Sequence, residues 1–211
     1  DGLLSVSVGG ADTEAVNSGT IEAANAEIRA NGGNVYALAG NTEGVVKATG
    51  VSTTGGRIFL TAGNAGKVRV TGRAKARKLA ENVPVPGAKP ASEGGNVTVT
   101  GGEITIAGTL DASAESNGLK GGEIMIFAED TARVSGSLSA RGGTGGEGGF
   151  IETSAKTNVD FTGVTVDTSA AGGTTGLWLI DPEDIIVDAA GAATIAGNLV
   201  SQPLDSSGAT R

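Results

Sequence analysis

One short phrase recurs six times: two glycines, a third residue, and then a run in which apolar residues alternate with others. Alternation with a period of two is typical of β-strands, and the glycine pairs separate the strands. Repetition at irregular intervals of about 20–28 residues favours a solenoid, in which each repeat forms one turn, over a β-sandwich. Gly108, Gly136 and Gly163, for example, follow one another at nearly equal intervals. The six copies begin at Gly32, Gly55, Gly94, Gly101, Gly121 and Gly148.

The pattern predicts an all-β chain folded as a right-handed parallel β-helix. About eight turns at the ~4.8 Å spacing of neighbouring strands would give a rod of roughly 40 Å. The chain has 37 glycines among 211 residues. They lack the three-residue period of collagen, so we expect them at the bends, where they supply positive φ angles. A hydrophobic content of 38% and only 5 prolines argue against a disordered tract.

The composition excludes several kinds of chemistry. The chain has no cysteine and no histidine, so it cannot form disulfides, Ser-His-Asp or Cys-His centres, or the usual structural zinc sites. We expect no cofactor and no metal. The net charge of −8 argues against general nucleic-acid binding. The apolar runs are too short for a transmembrane segment. The first residue, Asp1, suggests a fragment or a processed chain.

A surplus of residues interrupts the repeat between Gly56 and Gly94, which are 38 residues apart. Residues 73–81 carry helix formers and a proline-rich stretch follows, so we predict a short helix and a loop that project from the rod over residues 73–93. This insertion has five cations and two anions, a net +3, which leaves −11 for the rest of the chain. It could bind an anionic polysaccharide or a neighbouring acidic rod, or fold back on its own surface. The candidate binding residues are Arg73, Lys75, Arg77 and Lys78.

The end of the chain changes character after the shaft that we assign to residues 1–175. Residues 176–211 are predicted to hold terminal strands, a cap helix at Ala189–Val200 and a linker. Trp178 is assigned to the core or cap, with stacking on a sugar as the alternative. Asp181 and Pro182 are assigned to a turn, with cation binding alongside Glu183 and Asp184 as the alternative. Without a cap, the open end of the rod would favour self-association.

The run Gly176-Leu-Trp-Leu-Ile-Asp-Pro, followed by Asp184-Ile-Ile-Val, resembles a signature of the filamentous haemagglutinin family, the large exoproteins of bacterial two-partner secretion. The resemblance implies a right-handed β-helix, export through an outer-membrane partner transporter, and adhesion at the bacterial surface. The family's secretion domain carries Asn-Pro-Asn motifs, whereas this chain has no Asn-Pro, so we place it downstream of that domain. The absence of cysteine also suits passage through an oxidising periplasm. Further similar stretches, in the family's order, are Gly32–Ala39, Val45–Val51, Gly56–Ala62, Ser139–Gly143 and Gly148–Ser154.

The main rival is a β-helical enzyme that cleaves acidic polysaccharides. Such an enzyme needs carboxylates that converge in a cleft. The glycine-rich run Gly142–Gly149 also lacks the aspartate of calcium-binding repeats. We therefore predict a non-enzymatic shaft for cell-surface attachment or for biofilm or filament structure, with a polysaccharide-binding module or a lyase as alternatives. The acidic residues that fail to recur at one turn period are Asp111, Glu115, Glu123, Glu129, Asp130 and Glu152.

Overall fold

The computed structural model of the chain describes residues 3–8, 14–30, 38–50, 55–79 and 91–182. These residues form eighteen β-strands and no helix. All the strand pairs are parallel except the one between the ninth and tenth strands. The strands are β1 (Leu3–Val8), β2 (Glu14–Asn17), β3 (Thr20–Ala23), β4 (Asn25–Ala30), β5 (Leu38–Asn41), β6 (Val45–Gly50), β7 (Arg57–Thr61), β8 (Lys67–Val70), β9 (Arg73–Leu79), β10 (Ser92–Gly94), β11 (Asn96–Ile106), β12 (Thr109–Asp111), β13 (Glu123–Val134), β14 (Ser137–Ser139), β15 (Phe150–Ala155), β16 (Asn158–Asp160), β17 (Thr165–Asp167) and β18 (Leu177–Pro182).

The strands stack on three faces of a coil, which confirms the predicted parallel β-helix. The first face holds β1, β4, β7, the start of β11, the start of β13, β15 and β18. The second holds β2, β5, β8, the ends of β11 and β13, and β16. The third holds β3, β6, β9, β12, β14 and β17. Each face is therefore a parallel ladder that runs along the rod.

The length of each turn follows from the register of the first face. Asn96 pairs with Glu123, and the two are 27 residues apart. Glu123 pairs with Phe150 and Phe150 with Leu177, at the same interval. Seven strands stack on this face. Their six steps span about 29 Å. The described residues thus contain fewer turns than the eight predicted. The reason is that the copies of the phrase that begin at Gly94 and Gly101 both contribute to β11, so two copies build one turn.

Alternate side chains of each strand fill the interior of the coil. On the first face Ile58, Val97, Ile124 and Ile151 lie in register, one per turn, and each is fully buried. Burial of one such side chain contributes roughly 1.5–3 kcal/mol relative to its exposure. The other two faces contribute equivalent columns of buried side chains, which are Val68, Ile104 and Ala132 on the second face and Val46, Ala74, Leu110 and Leu138 on the third.

A column of glycines lines the corner between the third and first faces. A Cβ atom added to Gly122 would lie 1.8 Å from the carbonyl oxygen of Gly95, and one added to Gly149 would lie 2.0 Å from that of Gly122. These carbonyls accept inter-turn hydrogen bonds from the next strand, such as Glu123 N–H to Gly95 O at 2.9 Å. Among these three glycines and their neighbours Gly56 and Gly176, φ is positive at Gly56 alone. The predicted role in positive φ is therefore wrong for the other four, because what they provide is close approach between turns.

The helix predicted from residue 73 is not found, because Arg73–Leu79 forms strand β9 on the third face. Ala74 and Ala76 alternate with charged residues and are fully buried, so the relevant period is two rather than that of a helix. The strand pairs with β6 on one side and β12 on the other. The proline-rich stretch within residues 80–90 and the cap helix at Ala189–Val200 lie outside the described residues.

Candidate functional site

Loops at the corner between the third and first faces stack on one another and form a ridge. We define the loop ridge as residues 113–120, 140–147 and 168–175. Neighbouring loops are joined by backbone hydrogen bonds from Gly118 N–H to Thr144 O at 2.8 Å and from Gly145 N–H to Ala171 O at 2.7 Å. Ser92 of β10 accepts from the N–H of Glu115, so β10 continues the ridge by one more turn.

A groove of about 510 Å³ lies between the loop ridge and the first face. Its floor is the backbone of the corner glycines, including Gly122 and Gly149. We call it the corner groove. One side is built from the first residues of the last four first-face strands, β11, β13, β15 and β18, and the other from the ridge and the β9–β10 pair. The lining side chains are Asn96, Glu123, Phe150 and Leu177 on the first-face side, and Lys78, Glu93, Lys120 and Thr175 on the ridge side.

The charges of the corner groove are balanced. It has two lysines, Lys78 and Lys120, and two glutamates, Glu93 and Glu123. Glu123 accepts a hydrogen bond from Asn96 Nδ2 at 2.7 Å. The two lysines and Glu93 make no ion pair or side-chain hydrogen bond with any described residue. The groove therefore presents ammonium donors and carboxylate acceptors that are open to a ligand.

The backbone N–H groups of the floor are already committed to the fold. The N–H groups of Gly122 and Gly149 donate across the corner to Ala112 O and Ala140 O, both at 2.7 Å. The carbonyl of Gly122 accepts from Phe150 N–H at 2.9 Å. A ligand in the corner groove would therefore be recognised mainly by the side chains of its walls.

The structure separates the four candidate cations of the insertion. Arg77 is buried, with its side chain 6% exposed, and its Nη2 lies 2.8 Å from Asp111 Oδ2. Lys75 forms an ion pair with Glu115. Lys78 lines the corner groove, whereas Arg73 is exposed on the third face. The four residues therefore do not form one cationic site.

Asp111 is held by two groups. Its carboxylate accepts from Arg77 Nη2 and also from the backbone N–H of Ser113 at 3.0 Å. Burial by itself would raise the pKa of Asp111, but the hydrogen bond and charge of Arg77 and the hydrogen bonds of Ser113 outweigh it and hold that pKa below 3.8. Asp111 is therefore ionised at neutral pH and is a structural partner of Arg77.

Trp178 points into the coil on the last described strand of the first face. Its ring packs against the hydrophobic core and meets Phe161 edge-to-face, with ring centroids 5.8 Å apart. Its indole Nε1 donates to Thr153 Oγ1 at 3.3 Å. The turn predicted at Asp181 and Pro182 is not found, because both continue β18 and pair with the last residues of β15. Glu183 and Asp184 lie outside the described residues.

The carboxylates at two different corners of the coil make separate ion pairs. Glu115 pairs with Lys75 and with Arg77, and Glu129 pairs with Lys156. In the described part of the chain, no three acidic residues come together as a group that could hold a metal ion. No helix there is long and apolar enough to cross a membrane.

Comparison of the chain with protein-family models, with curated proteins and with solved structures found no match.

The corner groove itself was missed by the sequence analysis, although the signal was present. Four of the Gly-Gly pairs and the Thr175-Gly176 pair are each followed by a residue of one column along the rod. Aligning these copies would have placed Glu123, Phe150 and Leu177 side by side.

Proposed function

We propose that this chain is a segment of a secreted bacterial adhesin of the filamentous haemagglutinin kind, and that it acts as a rigid shaft. The observation that carries the proposal is the uninterrupted parallel stack of turns, the last of them equal in length, in a chain that resembles that family along most of its length. Each added turn lengthens the rod by about 4.8 Å without any new topology. The work of the segment is then reach and display.

The surface chemistry supports a non-catalytic role. General acid–base chemistry requires ionisable groups that converge on one substrate position. Glu115 and Glu129 instead neutralise cations at different corners of the coil, and Asp111 serves a buried arginine. These pairs stabilise the rod and leave no carboxylate cluster on it among the described residues.

The proposed partners and location follow from the same assignment. The parent protein would leave the cell through an outer-membrane two-partner secretion transporter and remain secreted or at the cell surface. A matrix or host polysaccharide, or a neighbouring rod, would then be its extracellular contact. The absence of cysteine is compatible with export of an unfolded chain through an oxidising compartment.

Two measurements on the source cells and the purified protein test the proposal. An antibody against this chain should label intact cells, and protease treatment of intact cells should remove the label. Labelling that appears only after lysis would refute a surface role. In parallel, the purified chain should release no product from a panel of acidic polysaccharides, whereas measurable turnover would establish the enzyme that we reject.

The shaft itself is tested by removing one turn. Because Glu123 and Phe150 are in register, deletion of residues 123–149 joins Gly122 directly to Phe150, and β15 then takes the place of β13 on the first face. We expect this variant to keep its far-UV circular dichroism and to shorten by about 4.8 Å in small-angle X-ray scattering. The matched control removes residues 123–135, about half a turn, and should fail to fold. Equal behaviour of the two deletions would contradict the shaft.

A further inference from the structure

We propose that the corner groove binds an uncharged oligosaccharide that lies along the rod axis. The groove extends over the corner glycines from Gly94 to Gly176. These glycines belong to four successive turns, so the floor is about 14 Å long from three strand spacings. This inference does not depend on the shaft assignment, since a groove of this kind could serve any protein that carries it.

The floor argues against an extended peptide as the ligand. A peptide strand that adds to a sheet is held by main-chain hydrogen bonds to free N–H and C=O groups. In the corner groove the N–H groups of the floor glycines already donate within the fold, as from Gly148 N–H to Thr174 O at 2.7 Å. The carbonyls of Gly122 and Gly149 already accept from the next turn, as from Phe150 N–H to Gly122 O at 2.9 Å. The ligand must therefore be one that is recognised by side chains over a flat surface.

The balance of charge argues against a polyanion. Lys78 and Lys120 are accompanied by Glu93 and Glu123 in the same groove, so an acidic sugar would meet as many carboxylates as ammonium groups. Hydroxyl groups, in contrast, both donate and accept hydrogen bonds, and they can pair with either kind of side chain. Balanced walls of this kind suit a neutral polyol.

The apolar end of the groove supplies the second half of the recognition. Phe150 and Leu177 follow Glu123 in the same column, one turn apart. Both are partly exposed, and Leu177 is followed two residues later on β18 by the exposed Leu179. A pyranose ring has an apolar face of C–H groups, which packs against an aromatic ring, while its hydroxyls remain at the edge. Phe150 is therefore the expected stacking platform, with Lys120 as a hydroxyl donor from the ridge.

The test is a titration of the protein labelled with ¹⁵N at glycine, followed by two-dimensional NMR. The probe is cellohexaose, and the matched anionic probe is a galacturonate hexamer. We expect cellohexaose to shift the floor glycines, such as Gly122 and Gly149, with a dissociation constant of about 1 mM. The binding should be insensitive to salt, because it depends on no net charge.

Two variants and one control locate the site. Phe150→Ala and Lys120→Met should each weaken binding, the first by about tenfold, through loss of the stacking surface and of a hydroxyl donor. Phe59→Ala removes the same ring from the same outer face at a position outside the groove, and it should bind normally. The retained far-UV spectrum of each variant shows that the rod is folded.

Three results would overturn the inference. The first is a lack of shifts with cellohexaose at about ten times the expected dissociation constant. The second is binding of the galacturonate hexamer alone, with loss in high salt, which would assign the groove to a polyanion. The third is equal weakening by Phe59→Ala and Phe150→Ala, which would place the sugar elsewhere on the first face.

Discussion

Replacement of Gly122 by alanine is the most direct test of how the coil is closed. The new Cβ would lie 1.8 Å from the carbonyl oxygen of Gly95 on the preceding turn, whereas an ordinary contact begins at 3.4 Å. The two turns must therefore separate locally by about the length of a carbon–carbon bond. That shift breaks the 2.9 Å hydrogen bond from Glu123 N–H to Gly95 O.

The energetic cost has two parts. Leaving a buried backbone group without its partner costs about 1–3 kcal/mol. Forcing an extra carbon into a packed contact costs about 1–3 kcal/mol more. We therefore expect Gly122→Ala to lower the free energy of unfolding by about 2–6 kcal/mol, a large part of the ~5–15 kcal/mol that stabilises a typical protein.

The matched control is Gly19→Ala. Gly19 also lies at a bend, but its φ is not positive and the nearest atom to an added Cβ is Asn17 Oδ1 at 4.0 Å. Alanine there should be neutral or stabilising by up to about 1 kcal/mol, because it restricts the unfolded chain. Urea unfolding followed by far-UV circular dichroism measures both variants. A loss for Gly122→Ala within about 1 kcal/mol of the control would refute close approach as the reason for the corner glycines.

Three further predictions concern the ion pair between Arg77 and Asp111 and the packing of Trp178 against the core. Arg77→Met should lower the free energy of unfolding in urea by about 2–4 kcal/mol, since it leaves Asp111 unpaired in a largely buried position. Lys75→Met, which removes an exposed pair, should lower it by less than about 1 kcal/mol. Equal losses for the two variants would contradict this ranking. Burial would raise the pKa of Asp111, but Arg77 and Ser113 together lower it below 3.8. The stabilisation that ionised Asp111 gives the folded state is therefore present above that pH and is lost as the pH falls through the lowered pKa. The urea midpoint of unfolding should fall less steeply with decreasing pH in Asp111→Asn than in the wild type. An unchanged dependence of the midpoint on pH would show that other carboxylates govern the loss of stability in acid. Trp178→Ala should cost about 2–4 kcal/mol by removing core packing and the edge-to-face contact with Phe161, and a neutral effect would mean that the last turn is unfolded in solution.

The chain's own pattern determined the fold class. The alternation in runs such as Ile124-Met-Ile126 sets which side chains face inward, and a glycine pair precedes several first-face strands, as Gly121-Gly122 precedes β13. A period of two is a local property of the backbone, so it can be read without knowing what lies next to the strand. The same reasoning, applied to Arg73-Ala-Lys75-Ala-Arg77, would have given the strand that the structure has; the helix-forming tendency of these residues concealed it, because burial against neighbouring turns overrides propensity.

The tertiary structure alone decided which turn lies against which, and with it the sites. Lys75 and Glu115 are 40 residues apart in sequence, and the corner groove joins residues from β9 to β18. Such neighbours depend on the register between turns, and the turns differ in length before they settle at a constant one. The corner glycines were visible in the sequence, but their reason was not: the carbonyl that excludes a side chain from Gly122 belongs to Gly95, one turn away, and only the stacking of the coil brings the two together.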